Sequence, residues 1–446
     1  MELAKRSAPD EEAGSALVEA KRARIDADPT GSRRSIPVAE GPRRTSGLFA
    51  PTMLLTGHSD AVLGVDFSPS GEHLASCSSG GALFVWEVFG ECRNVGALPR
   101  AHARAATAAR WALGGDALVT CGAEGRVKLW DAERLAPIRS WSGHGRRVVN
   151  AVAAARGAAG VVRERDAKEE EEEGGGGAAA PGSASSSSSP VLPAPPLVFS
   201  GGDDRRARLW DARVARRAAA TVRERFEVLA VDLSPDGREL WTGGVDGVVR
   251  GYDARNPSRP KLELKGHGEA VTGLALAPAP LVRRTREDAE RDRERAAELG
   301  ASKRKARNGG DPGPDAADAA SSLASALSPL LATPSVSLAS NGADDVVRVW
   351  DARPFAPPQR CAGVLPGAAH GHAQPLLRVA WSPDAARLAA GGDDGCVDVW
   401  SARDRALLYK LPGHKGTVYD VAFHPTQPII ASGGGDHVIF MGELAE

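Results

Sequence analysis

His144, Ser200 and Asp204 supply the residue types of a nucleophilic triad: a hydroxyl to attack, an imidazole to take its proton, a carboxylate to orient the ring. The same types recur at His267, Ser340 and Asp344, and again as His102, Thr120 and Glu124. Each set ends ten residues after its hydroxyl in a tryptophan: Trp210, Trp350 and Trp130. A catalytic constellation faces one cleft with an oxyanion site, whereas copies at fixed spacing belong to a scaffold. The scaffold reading uses every group: the carboxylate accepts from His, His pairs with the hydroxyl, and the hydroxyl accepts from the indole N–H. These sets are therefore read as structural tetrads, and no catalytic, cofactor or metal residue is assigned.

A second position recurs three residues after the Trp or Tyr. Arg213, Arg255, Arg353 and Arg403 occupy it in four successive repeats. One reading pairs each with its neighbouring Asp211, Asp253 or Asp351, on a solvated surface. The other makes them an arc that binds a carboxylate- or phosphate-bearing partner, a task suited to the guanidinium fork.

The elements that must position these residues are short antiparallel strands. Period-2 apolar alternation, as in Ala61-Val-Leu-Gly-Val-Asp-Phe67, is broken by turn signals such as Ser68-Pro-Ser-Gly71. His58 to Trp86, His102 to Trp130 and His372 to Trp400 each span 28 residues. His144 to Trp210 spans 66 and His267 to Trp350 spans 83, so two copies carry inserts. Without that excess the chain divides into seven copies of about 43 residues, inside the ~40–45 of a four-stranded propeller blade. The expectation is an all-β, seven-bladed WD40-type propeller over residues 51–446. Inserts at about 157–196 and 279–334 are low-complexity and solvated, the second with a marginal helix over 283–307. Both fall between the first and second strands of their blades and leave on the face opposite the His rim.

The copies are uneven. Gly80 replaces the Asp of the first, Ala390 the Ser of the sixth, and Gly442 the last Trp. The fourth has Glu224 at the His position and Tyr252 for Trp. Such blades are expected to lean more on apolar packing. Met53–Leu55 precedes the first repeat with no blade of its own, while the last repeat stops after three strands. Pairing the orphan segment beside 438–441 closes the ring and removes an open edge.

Composition narrows the function. A net charge of −1 is not that of a globally basic nucleic-acid binder. Five cysteines without a C-x-x-C pair read as reduced thiols, and ten scattered histidines form no metal pattern. No apolar run approaches the ~18 residues of a membrane span, and the start lacks a signal-peptide core. Residues 1–50 are charged, read as a disordered tail, and carry Lys21-Arg-Ala-Arg24 as a possible nuclear import signal. The chain is expected to be soluble, with no membrane and no small-molecule substrate.

Several stretches are not demanded by the repeat. They are Ala50-Pro-Thr-Met-Leu-Leu-Thr-Gly-His58, Val88-Phe-Gly-Glu-Cys92, Val228-Leu-Ala-Val231 and Trp350-Asp-Ala-Arg-Pro-Phe-Ala-Pro357 with Arg360-Cys361. Leu407-Leu-Tyr-Lys-Leu-Pro-Gly-His414 and the ending from Phe423-His-Pro through Pro428-Ile-Ile430 to Met441-Gly-Glu443 complete them. On these the chain resembles the WD-repeat subunit of the U5 small nuclear ribonucleoprotein of the spliceosome, over about residues 50–446. The inserts and Gly80 depart from that pattern. The resemblance implies a nuclear, non-catalytic scaffold of the U5 and tri-snRNP particles in pre-mRNA splicing. Its partners would be spliceosomal proteins, chiefly the large U5 scaffold protein, with U5 RNA mostly indirect.

The alternative is a substrate receptor of a cullin-type ubiquitin ligase. Trp210-Asp-Ala-Arg213 and Trp350-Asp-Ala-Arg353 fit its short W-D-x-R box. A propeller enzyme needs polar groups converging on the central channel. The inner strands, exemplified by Leu376-Leu-Arg-Val-Ala-Trp381, are expected to hold no shared polar cluster.

Overall fold

Alternation and turn chemistry produce 28 strands in seven sheets of four among the described residues. The computed structural model describes residues 46–155, 197–214, 217–278, 337–353, 360–371 and 375–444. Each sheet is an antiparallel meander, a blade running outward from its first strand. The inner strands are Val62–Phe67, Ala106–Ala112, Val149–Ala154, Val228–Leu233, Val271–Leu276, Val379–Trp381 and Val418–Phe423 for blades one to seven. Consecutive inner strands touch around the ring, the seventh meeting the first.

Close approach explains the small residues there. In six inner strands the register slips just after the first residue, as between Val62 and Gly64. Such a bulge raises local twist and turns the strand across its neighbour. A Cβ on Gly64 would lie 3.1 Å from the Ala109 nitrogen, and one on Gly273 2.8 Å from the Leu377 carbonyl oxygen. Carboxylates stitch the same seams. Asp66 accepts from Trp111 N at 2.8 Å, Asp232 from Leu276 N at 2.6 Å, and Asp420 from Val65 N at 3.1 Å.

The core is a set of apolar layers between blades. Between blades one and two, Ala75, Cys77, Leu83 and Val85 meet Ala106, Trp111, Leu118 and Trp130, all buried. All five cysteines are free. No helix is long and apolar enough to cross a membrane, among the described residues.

Closure follows the sequence expectation. Thr52–Leu55 is the outer strand of blade seven, with Met53 opposite Met441 and Leu55 opposite Ile439. One boundary moves. Residues 46–50, read as the end of the tail, lie on the ring: Leu48 is 4% exposed and bridges to Gly90, and Ser46 N donates to Glu443 at 2.8 Å. The rest of the tail with its basic cluster, both inserts and the 283–307 helix lie outside the described residues.

Candidate functional site

In blade three, Asp204 leaves the turn before the third strand and meets His144, which enters from the connection before the first. His144 Nδ1 lies 2.8 Å from Asp204 Oδ1 and Nε2 lies 2.8 Å from Ser200 Oγ, which accepts from Trp210 Nε1 at 2.8 Å. Blade five repeats this with His267–Asp344 at 2.9 Å, His267–Ser340 at 2.6 Å and Trp350 to Ser340 at 2.7 Å. In blade two His102 lies 3.1 Å from Glu124 and 2.7 Å from Thr120, which accepts from Trp130 at 2.8 Å. Blade seven has the first three members, His414, Ser432 and Asp436, with Phe440 edge-on to the imidazole at 4.6 Å.

The hydroxyls of these sets are already engaged. Ser200 and Ser340 are wholly buried, and their oxygens are already held by imidazole and indole. Burial pulls the His144 and His267 imidazoles below their ordinary pKa against the upward pull of Asp204 and Asp344. Burial raises the Asp204 carboxyl, but bonds from His144 and Arg208 outweigh it and leave it below the usual range.

The deviant blades show what each substitution does. With Gly80 in place of Asp, His58 keeps its bond to Ser76 at 2.7 Å, but its buried Nδ1 finds no partner among the described residues. Burial lowers that imidazole to about 4, opposed by Asp60, and Phe84 stacks on it at 4.3 Å. Blade four does not fall back on apolar packing as expected. Glu224 accepts from Thr242 at 2.8 Å and from Tyr252 at 2.7 Å, a polar set with a carboxylate at its centre. Arg250 then neutralises it, 3.4 Å from Glu224 and 2.6 Å from Asp246. In blade six Trp400 donates to Pro366 O at 3.2 Å instead of to a hydroxyl. His372 lies outside the described residues, and the buried imidazole in this connection is His370, bonded to Ala368 O and Thr272.

Sequence reasoning missed one partner class. Arg208, Arg348, Arg250 and Lys128 each lie four residues after the turn carboxylate and pair with Asp204, Asp344, Asp246 and Glu124. The spacing was visible as a recurring acid-x-x-x-base. The channel expectation is corrected too. Arg110 of blade two donates to Asp420 of blade seven at 2.8 Å and to Val65 O of blade one at 3.2 Å. Arg378, just before the inner strand of blade six, donates to Asn150 O at 2.8 Å and Thr107 O at 3.1 Å. Inner strands of blades one, two, three and seven, with Arg378 of blade six, thus share one polar brace, which stitches backbone and leaves Asp420 1% exposed. A scan for period-2 apolar residues cannot see it, because its members are hundreds of residues apart.

The four arginines all follow the third strand of their blades, in blades three to six, on one rim. Arg213 grips Asp211 through Nε at 2.9 Å and Nη2 at 2.6 Å, and Arg353 grips Asp351 likewise. Arg255 donates its backbone N–H to Asp253 at 2.9 Å, and its side chain is exposed. Arg403 is exposed beside Ser401, whose hydroxyl is bonded to Asp404 at 3.0 Å.

Seven meander blades, four of them tied by His–hydroxyl–indole sets, define a WD-repeat β-propeller. The family model described as "WD domain, G-beta repeat" matches residues 49–87, 93–131, 360–401 and 405–441. The chain is 30% identical over 404 residues to the human U5 small nuclear ribonucleoprotein 40 kDa protein, covering 91% of this chain and 87% of that one. It is 29% identical to the pre-mRNA-splicing factor cwf17 of Schizosaccharomyces pombe, over 90% of each chain. The Dictyostelium discoideum U5 40 kDa protein is 28% identical over 91% of this chain and 87% of its own. The chain belongs to the family of the U5 small nuclear ribonucleoprotein 40 kDa protein.

Proposed function

We propose that the protein is a non-catalytic scaffold of the U5 and tri-snRNP particles, acting in the nucleus in pre-mRNA splicing. The observation that carries this is likeness over 91% of the chain to proteins named for that particle, on a ring whose triad-like residues are spent inside its blades. Its principal partner is the large U5 scaffold protein, with U5 RNA reached mostly through protein. The rim bearing Arg213, Arg255, Arg353 and Arg403 contributes to docking.

Tagged full-length chain, purified from nuclei of its own cells, tests the proposal by mass spectrometry and RNA sequencing. Spliceosomal proteins with U5 RNA are expected. Recovery of a cullin adaptor without them would overturn the proposal and favour the ligase reading through the Trp210–Arg213 and Trp350–Arg353 boxes.

A further inference from the structure

Blade four differs from the other six at one cross-strand pair. Opposite each other on its second and third strands stand Trp241 and Gly251. The equivalent pairs are Ala75/Val85, Val119/Leu129, Phe199/Leu209, Ala339/Val349, Ala389/Val399 and Ala431/Met441. The exchange is compensated: a Cβ on Gly251 would lie 2.8 Å from the indole ring, so the ring rests on the bare strand. It also places an N–H where the other blades have only apolar side chains. Trp241 is 2% exposed, and its Nε1 meets no acceptor among the described residues. A buried donor left without a partner opposes folding. Apolar pairs without an N–H serve the other blades at this register, so stacking alone does not require the indole.

Trp241 lines a cleft of about 90 Å³ between blades four and five, with Tyr252 and Leu262 as apolar wall; Arg353, Arg360 and Lys261 line it too, the lysine 3.2 Å from Glu239, which is the one acid of the lining. The cleft opens on the arginine rim. Exposed Arg255 and Arg259 follow the third strand of blade four, and exposed Arg403 and Arg405 that of blade six. Across the ring the same rim carries more acid than base, with Glu72 and Glu91 of blade one and Glu133 of blade two beside Arg93 and Arg134, whereas in blades four and six the arginines outnumber exposed Asp236, Asp384 and Asp404. One rim therefore has a basic half and an acidic half. That polarity orients an anionic partner over blades three to six and repels it from the rest.

We propose that this cleft and its flanking arginines seat an extended, Asp/Glu-rich segment of a partner protein. Its carboxylates meet the arginines, and an oxygen of the segment accepts from the Trp241 N–H as the cleft opens slightly. Protein is favoured over RNA by the aromatic residues of this half. Single-stranded RNA is held by exposed aromatic platforms, whereas Trp241 and Tyr252 are buried and the exposed Phe226 belongs to the connection before the inner strand of blade four, on the opposite rim. The inference deepens the reading of the ring as an interaction platform and rests on it.

The test is fluorescence anisotropy with the full chain and a labelled peptide of alternating glutamate and glycine. Its glutamine counterpart and a uridine oligonucleotide are run beside it. The glutamate peptide should bind, more weakly as salt rises, and the glutamine peptide should not. Joint Arg255→Glu and Arg403→Glu substitution should weaken binding about tenfold or more, a change of about 1.4 kcal/mol per factor of ten. Trp241→Phe keeps the ring and removes the donor, and should weaken binding further. Lys415→Glu, on the opposite rim, should change nothing, and thermal melts verify that each variant is folded. Binding that ignores the arginine and Trp241 changes in folded variants, absent binding of the glutamate peptide, or tighter binding of the oligonucleotide would overturn the inference. Splicing proteins recovered from nuclei alongside an arginine-independent peptide result would sink this inference alone. Arginine-dependent peptide binding without those proteins would sink the proposed function alone.

Discussion

His144, Ser200 and Asp204 show how a chemical alphabet can be used without chemistry. Each polar atom is matched to a neighbour inside a blade, so the energetic consequence of losing one is local. Asp204→Ala strands the His144 N–H and the Arg208 guanidinium together. It should destabilise by roughly 1–3 kcal/mol in urea unfolding. Ester hydrolysis should be at background in both proteins, and turnover lost with the variant would restore the catalytic reading. The histidines also set a pH response. Burial lowers His58 and His102 to about 4, with Lys128 adding to the effect on His102, whereas an unfolded imidazole titrates near ~6.5. Between those values the unfolded chain binds more protons, so stability is complete above about pH 6.5 and falls as pH drops toward 4. Each of the two should withdraw on the order of 3 kcal/mol by pH 4. A flat unfolding free energy between pH 7 and pH 4.5 would contradict this.

At the scale of elements, the strand Thr52–Leu55 is the piece that turns an open array into a ring. It supplies the outer edge of blade seven through the pairing of Met53 with Met441, and Leu55 is buried. A chain starting after Leu55 exposes the edge of Ile439–Glu443, a template for association with other chains. It should melt many degrees lower than the full chain and form aggregates in size-exclusion chromatography. Deleting 160–192 and 283–330 should instead leave the melt nearly unchanged, since doubling a loop costs only ~0.6 kcal/mol. A large drop on that deletion would mean that the inserts hold the ring together.

At the scale of the whole molecule, the centre of the ring is held by charge. Asp420 accepts from Arg110, from Val65 N and from Val421 N, with Arg378 Nε 4.0 Å away. Removing the carboxylate leaves the half-buried Arg110 and the buried Arg378 without this counter-charge, so Asp420→Ala should cost about 3–5 kcal/mol. That exceeds the effect of Asp204→Ala, because its donors come from blades one and two as well as its own. Equal effects of the two substitutions in chemical denaturation would show that the brace adds nothing to the local sets.

Some of this was determined by the sequence alone. The 28-residue spacing, the period-2 alternation and the orphan Met53–Leu55 imply seven blades and their closure, because each blade is a local meander whose partners are near in the chain. The tetrads are legible for the same reason, since the three that span short and long copies end on the same ten-residue step from hydroxyl to Trp. Blade four misleads a pattern reading: Glu224 in place of His looks like a loss until Thr242 and Tyr252 are seen to share it. The brace of Arg110, Arg378 and Asp420, and the cleft that sets Trp241 beside Arg353, were decided only by tertiary structure. Both form between blades, where residues distant in the chain meet because the ring closes, and no spacing within a repeat encodes that meeting.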